Sequence, residues 1–282
     1  MAFDIDDLRI QPGELVDLND IDPRSTPSWA DDPSGDRELD KASARAHLEV
    51  CNARLEELQE LLYAEGKHRV LVVLQAMDAG GKDGTIRHVF EHVNPQGVKV
   101  TSFKKPSSLE LAHDYLWRIH AHVPGNGEMA VFNRSHYEDV LVVRVNDLVP
   151  ERQWRKRYRH IRDFEQMLAD EGTTIVKIFL HISPDEQAER FQSRLDEPHK
   201  HWKFSHGDLE VRTQWNDYMR AFEDALGQTS TDDAPWYVVP ADRKWYRNVA
   251  VCEIMVQTLE SLAMDWPAAE DDLDDVVIPE VD

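Results

Sequence analysis

The sequence predicts an α/β protein in which a mostly parallel sheet of five strands is covered on both faces by helices. Three observations carry this reading. Five short apolar runs recur between residues 69 and 240, near-continuous rather than alternating, as strands buried on both faces require. Segments with helical spacing separate them. A glycine-rich turn joins the first run to the helix that follows it.

Taken in order, residues 1–36 are rich in Asp and Pro ("DLNDIDPRSTPSWADDPSGD") and predict an extended arm with little core of its own. From Arg37 to Gly66 leucines and alanines recur at helical spacing, and Gly66 is a natural stop. The strands are expected at 69–75, 98–103, 129–133, 174–183 and 236–240. Helices are expected at 82–93, 108–122, 151–171, 184–195, 207–227 and 243–264. The main domain then spans 37–265, and residues 266–282 ("PAAEDDLDDVVIPEVD" at their end) predict a mobile acidic tail.

Bulk properties narrow the function. The chain has 282 residues, a formal net charge of -22 and Asp+Glu 54 against Lys+Arg 32. Mean hydropathy is -0.57. Such an acidic body disfavours bulk nucleic acid and anionic membranes, so a polyanionic ligand must meet a local basic groove. No apolar run approaches the roughly 20 residues that span a bilayer. The start, "MAFDIDDLRI", has neither basic nor apolar signal regions. Cys51 and Cys252 read as free, buried thiols of a reducing compartment, so a cytoplasmic location is expected.

The turn is "LQAMDAGGKDGTIRHVF", residues 74–90. Its place, after an apolar strand and opening a helix, is that of a phosphate loop, whose backbone N–H groups and helix N-terminus face the anion. It departs twice from G-x-x-x-x-G-K-[ST]: Ala76 replaces the first glycine and Asp83 follows Lys82. The loop residues Ala79, Gly80, Gly81, Lys82, Asp83, Gly84 and Thr85 are the expected phosphate cradle. Because Asp83 replaces the hydroxyl that usually meets magnesium, carboxylates must carry more of the metal binding, and Asp78 is an extra acid inside the loop.

A second segment follows the strand "MAVFN", where ligands of open α/β sheets bind. Asn133 occupies the strand end, where an acid is usual, and Glu138 and Asp139 follow. The same residues suit a helix start, with Ser135 as cap and Glu138 as its capping-box partner. Basic residues gather in three places: Lys104 and Lys105; Arg152 to Arg162 on a helix; and Arg190, Arg194, Lys200 and Lys203. Arg190 and Arg194 share a helix face in a segment, about 190–208, where nucleotide kinases carry a lid. The helix at 151–171 reads either as part of a basic channel or as a solvated face. His199, His201 and His206 lack the Cys or spaced carboxylate that would complete a zinc site.

Five segments together resemble the polyphosphate kinase 2 family: "MDAGGKDGTIRHV", "SFKKPSSLELAHDYLWRIH", "VFNRSHYEDVLVVRV", "RFQSRLDEPHKHWKFSHGD" and "ADRKWYRNVAV". They extend from about residue 38 to 264. The resemblance implies a three-layer α/β/α P-loop kinase fold like that of thymidylate kinase, with a helical lid. It implies magnesium-dependent phosphoryl transfer between inorganic polyphosphate and nucleotides, and a homo-oligomer, dimer or tetramer. It implies Lys82 and the backbone of 80–84 as phosphate cradle, and Asp78 and Asp139 as metal or acceptor-positioning acids. Arg134, Arg190 and Arg194 become phosphoryl clamps, and Lys104 and Arg118 contacts to the anionic ligands. The form "NRSHYED", with Glu138, resembles members that accept both nucleoside mono- and diphosphates. Two other functions share parts of this pattern: an ATP-dependent nucleoside monophosphate kinase, and a non-catalytic polyphosphate-binding protein. A GTPase is disfavoured by the absence of N-K-x-D.

Overall fold

A computed structural model describes residues 3–30, 37–269 and 276–279. Residues 31–36 of the arm and most of the acidic tail therefore lie outside the described residues. In chain order the elements are β1 (Arg9–Ile10), α1 (Arg37–Glu65), β2 (Arg69–Ala76), α2 (Lys82–Val89), β3 (Val98–Ser102), α3 (Ser108–Leu111), α4 (Trp117–His120), β4 (Met129–Asn133), α5 (Val142–Val145), α6 (Glu151–Asp170), β5 (Thr173–His181), α7 (Pro184–Asp196), α8 (His206–Thr213), α9 (Trp215–Thr229), β6 (Trp236–Pro240) and α10 (Lys244–Ser261).

The sheet has six strands, in the order β1-β6-β5-β2-β4-β3, and not the five expected. The five expected strands are mutually parallel. The sixth, β1, pairs antiparallel with β6 and comes from the Asp- and Pro-rich arm. Two residues carry no readable periodicity, which is why this strand is invisible in the sequence. It is held by tertiary contacts: Ser230 Oγ donates to Ile10 O (2.7 Å), Phe3 and Leu8 are buried in the core on one face of the sheet, and Ile10 and Leu18 in the core on the other.

Burial alternates along β2. Val70, Val72 and Leu74 face a core shared with α1, α2 and α10. Leu71 and Val73 face one shared with α6 and α9. Every residue from Val70 to Ala76 is buried, which matches the continuous apolar run. The long expected helix at 108–122 is instead two single turns, α3 and α4. Ser107 and Glu110 close a capping box on α3, and Asp114 then accepts Leu116 N (3.0 Å) and restarts the chain. The helix expected at 207–227 likewise divides at Gln214.

On the α6 side the core contains a charged pair. Lys177, in the middle of β5, is 0% exposed and donates to Glu165 of α6 (2.6 Å), Thr229 O (2.7 Å) and Tyr137 Oη (3.0 Å). Tyr137 donates to Glu165 (2.8 Å), and His136 Nε2 lies 3.1 Å from the same carboxylate. Burial pushes the Glu165 carboxyl up, yet Lys177 and His136 hold it below the ordinary carboxylate range. This network fastens residues 136 and 137, next to Glu138 and Asp139, to the centre of the sheet. Glu165→Gln should cost about 3–5 kcal/mol in urea unfolding, because Lys177 is left buried without its counter-charge. The double change Glu165→Leu with Lys177→Met should recover most of that loss. Equal stability of wild type and Glu165→Gln would show that the pair places no constraint on the fold.

Candidate active site

All the candidate groups lie at the carboxyl edge of the parallel strands, where β2, β4 and β5 end side by side. Beyond Ala76 the chain turns through residues 77–81 into α2. Gly81, the residue before α2, has φ 106° and provides no side-chain cap. The first N–H groups of the helix therefore remain available to an anion. The turn also explains the first departure from the usual pattern. A Cβ at Gly80 would lie 2.5 Å from the Ala76 methyl and 2.7 Å from Met77 O, so Ala76 is tolerated because Gly80 has no side chain. Ala79 and Arg134 both sit at positive φ (60° and 62°), a conformation uncommon for residues other than glycine and concentrated at functional sites.

Lys82 is buried, with its ammonium folded back onto Ala76 O (2.8 Å) and Met77 O (3.3 Å). Burial, aided by the Arg134 charge, pulls its pKa down to about 8. Arg134 continues directly from β4, its N–H donating to Leu74 O of β2 (3.1 Å), and its guanidinium reaches Asp78 (2.5 Å). Asn133 Nδ2 donates to Asp83 (2.7 Å). Two of the three residues that break the usual patterns, Asn133 and Asp83, thus bind each other. The amide at the strand end orients the carboxylate that stands in the hydroxyl position.

Arg190 of α7 is a strut as well as a charge. It donates to Ala79 O (2.9 Å) and Ala241 O (2.6 Å) and pairs with Glu186 (2.7 Å). Arg194 donates to Lys203 O (2.9 Å) and pairs with Asp208 (3.1 Å), closing the 197–208 segment onto α7.

A cleft of about 760 Å³ opens between the loop and this segment. The expected residues Asp78, Lys82, Arg134, Arg190, Arg194, Lys104 and loop positions 79–81, 83 and 84 all line it. Four expected residues do not. Asp139 is turned away and bound by Arg157 (2.7 Å), and burial pushes its pKa up. Glu138 is also behind the wall. Burial, first, pushes its pKa up against the pull of Arg134 and Lys82. Its Oε1 accepts from the Gln75 amide (3.1 Å) when that amide is oriented to satisfy Ser135, so Ser135 caps the turn without Glu138 closing a capping box. Arg118 donates to Lys104 O (2.9 Å) and braces that loop. Thr85 is buried behind the loop, its hydroxyl without a partner among the described residues.

The basic helix reading also changes. None of the exposed arginines of α6 reaches the cleft; Arg155 pairs with Glu151 (2.6 Å), while Arg157, on the same helix, is buried against Asp139. Sequence reasoning missed Lys244 and Trp202, both on the cleft wall, and Arg247, buried behind Gly81. The available signal was "DRKWYRN", three basic residues opening a helix directly after a strand end.

Among the described residues no three His, Cys, Asp or Glu side chains form a metal cage. Magnesium bound largely by substrate phosphates needs only one or two protein carboxylates. Asp78 and Asp83, both on the cleft, fit that demand; Asp139 does not join them.

Taken together, the cleft offers free backbone N–H groups, the buried Lys82 ammonium with further lysines such as Lys104 and Lys244 on its wall, and three guanidinium groups to one ligand. A set of this kind suits a chain of phosphates and charge on phosphoryl oxygens.

A family model described as Polyphosphate kinase 2 (PPK2) matches residues 38–266. The chain is 59% identical over 270 residues to a protein of Meiothermus ruber named AMP/ADP-polyphosphate phosphotransferase, covering 96% of this chain and 98% of the relative. It is 48% identical over 271 residues to an ADP-polyphosphate phosphotransferase of Rhodopseudomonas palustris, covering 92% and 91%. A crystal structure of polyphosphate kinase 2 from Arthrobacter aurescens superposes with a TM-score of 0.88 at 47% identity, over 94% of this chain and 92% of that one. The chain belongs to the polyphosphate kinase 2 family.

Proposed function

We propose that this protein transfers phosphoryl groups between inorganic polyphosphate and nucleotides, reversibly, with AMP, ADP or GDP as acceptors. The observation that carries this reading is the cleft in which the uncapped start of α2 and Lys82 face Arg134, Arg190 and Arg194. The name of the 59% identical relative supports acceptance of both adenosine mono- and diphosphate. The P-loop kinase and thymidylate kinase likeness, the lid role of residues 190–208, a cytoplasmic location and a homo-oligomer remain part of this proposal. No described helix is long and apolar enough to cross a membrane.

In the transfer, an oxygen of the acceptor's terminal phosphate forms a bond to the end phosphorus of the donor. The bridging P–O bond to the rest of the chain breaks, leaving a donor shorter by one unit. The N–H groups at the start of α2 hold the phosphoryl oxygens. Lys82 exchanges its two carbonyl partners for those oxygens. Arg134, Arg190 and Arg194 balance the charge that gathers in the transition state. Asp78 and Asp83 are the carboxylates that would hold magnesium, which neutralises phosphate charge when bound.

Incubation with magnesium, long-chain polyphosphate and AMP, ADP or GDP, without ATP, should yield ADP, ATP or GTP. Product formation only when ATP is added would point to an ATP-dependent monophosphate kinase, and none under either condition to a binding protein. Lys82→Ala should keep the fold and lose on the order of 10²–10³ in kcat. Near-wild-type turnover in that folded variant would remove the loop from the mechanism. Asp78→Asn should shift the magnesium dependence of activity to higher concentration; a curve overlaying the wild type would place the metal elsewhere. Arg155→Glu with Arg159→Glu should leave both KM values unchanged, since neither side chain reaches the cleft, and a selective rise in polyphosphate KM would restore α6 to the donor path.

A further inference from the structure

The Asp- and Pro-rich arm does more than add an edge strand. Beyond β1 it crosses the ends of β5 and β6 and binds the residues from which α7 and α10 start. His181 Nε2, at the end of β5, donates to Ile21 O (3.2 Å). Asp242 N, just beyond β6, donates to Pro23 O (3.1 Å), and Arg24 Nε donates to Asp242 Oδ2 (3.3 Å). The Tyr246 hydroxyl of α10 donates to Pro27 O (2.9 Å), and Trp29 packs against Trp245 with ring centroids 5.9 Å apart. Arg24 is itself placed by a local turn, its N–H donating to Asp22 Oδ1 (2.8 Å). No described residue of the arm lines the cleft.

These contacts converge on Asp242, whose side chain is 2% exposed. Its Oδ1 accepts Ser183 N (2.8 Å), and its Oδ2 accepts Ser183 Oγ (2.8 Å) as well as Arg24. Ser183 caps α7, its Oγ accepting Glu186 N (3.1 Å). Glu186 in turn accepts from Arg190 Nε (2.7 Å), and Arg190 Nη2 reaches Ala241 O (2.6 Å) and Asp242 O (3.5 Å). Asp242 therefore belongs to both supports of Arg190: the capped helix start that carries it, and the strand-end carbonyls that its guanidinium binds. A carboxylate buried this far needs its charge balanced, and Arg24 faces it with the opposite charge.

We propose that Arg24 is a positioning residue for phosphoryl transfer, acting through Asp242 to fix Arg190 over the loop. The proposal rests on the phosphotransferase reading. The arm is then a clasp that joins the ends of β5 and β6 and sets the start of α7. Arg190 balances charge that gathers in the transition state, so a loosened Arg190 lowers kcat and leaves ground-state binding of both substrates nearly intact.

Steady-state kinetics of the full chain with long polyphosphate and ADP tests this in Arg24→Ala, Arg24→Lys, Asp242→Asn and the double variant Arg24→Ala with Asp242→Asn. The Arg24 side chain is 58% exposed, so its removal should shift Tm by no more than about 2 °C. In Arg24→Ala, kcat should fall by about tenfold. Both KM values should hold within about twofold, and Arg24→Lys should recover most of the loss. The two changes break one contact, so the double variant should lose no more than the larger single loss. A lower Tm with unchanged kcat would make the arm a strap for the fold alone and overturn the proposal. A selective rise in either KM, or additive losses in the double variant, would overturn it as well. Should Asp242→Asn fail to fold, Arg24→Ala and Arg24→Lys decide by the same criteria. Hydrogen exchange of the α7 amides, which needs no turnover, separates the two readings. Faster exchange in Arg24→Ala confined to the start of α7, in a protein that makes no nucleotide from polyphosphate, would sink the phosphotransferase reading and keep the clasp on Arg190. Unchanged exchange and unchanged kcat in an active enzyme would remove the clasp and keep the activity.

Discussion

The site depends on one register, that of β2 between β4 and β5. Leu74 stands opposite Asn133 on one side and Ile178 on the other, and Leu74 O accepts the N–H of Arg134. That alignment brings three chain ends to the same height. The loop leaves β2, Arg134 leaves β4, and α7 with its arginines follows β5. A slip by one residue would invert the faces of β2 and send its apolar set to the wrong cores. The burial of Val70 to Leu74 on alternating sides excludes such slips, so the same hydrophobic packing that stabilises the sheet also sets the positions of the groups proposed to act in transfer.

Electrostatics explains how an acidic protein maintains a cationic cleft. The cations nearest the loop are held by backbone carbonyls or by few acids: Lys82 by Ala76 and Met77, Arg190 by Ala79, Ala241 and a single glutamate. Carbonyl partners orient a cation without cancelling its charge, and the low polarity of the interior strengthens what remains. Elsewhere several cations are paired with acids. Arg155 with Glu151 and Arg144 with Asp224 leave little net charge on those surfaces. The positive field is therefore short in range and confined to the strand ends.

The departures from the usual phosphate-loop pattern compensate one another. Ala76 is admitted by the missing side chain of Gly80, and Asp83 by Asn133, whose amide donates to it across the two strand ends. With Asp in place of the hydroxyl, an acid at position 133 would have set two carboxylates against each other. An amide there supplies the hydrogen bond without the repulsion.

Local patterns in the sequence determined the five parallel strands, the loop and its lysine, and the cluster of Arg190 and Arg194. Each is a matter of periodicity or short spacing, which backbone geometry converts directly into place. Tertiary structure alone decided the rest, because it concerns which distant segments meet. Nothing within the arm marks Arg9–Ile10 as a strand; the edge of β6 makes it one. Asp139 and the α6 arginines have the composition of site residues, but the rotation of α6 buries Arg157 against Asp139 and turns Arg155 to solvent. Arg247 lies 165 positions beyond Lys82 in the chain and reaches the loop only because α10 packs against α1 and α2. Spacing along a chain carries no information about such a contact, since it is created by the burial of apolar surface between elements remote in sequence.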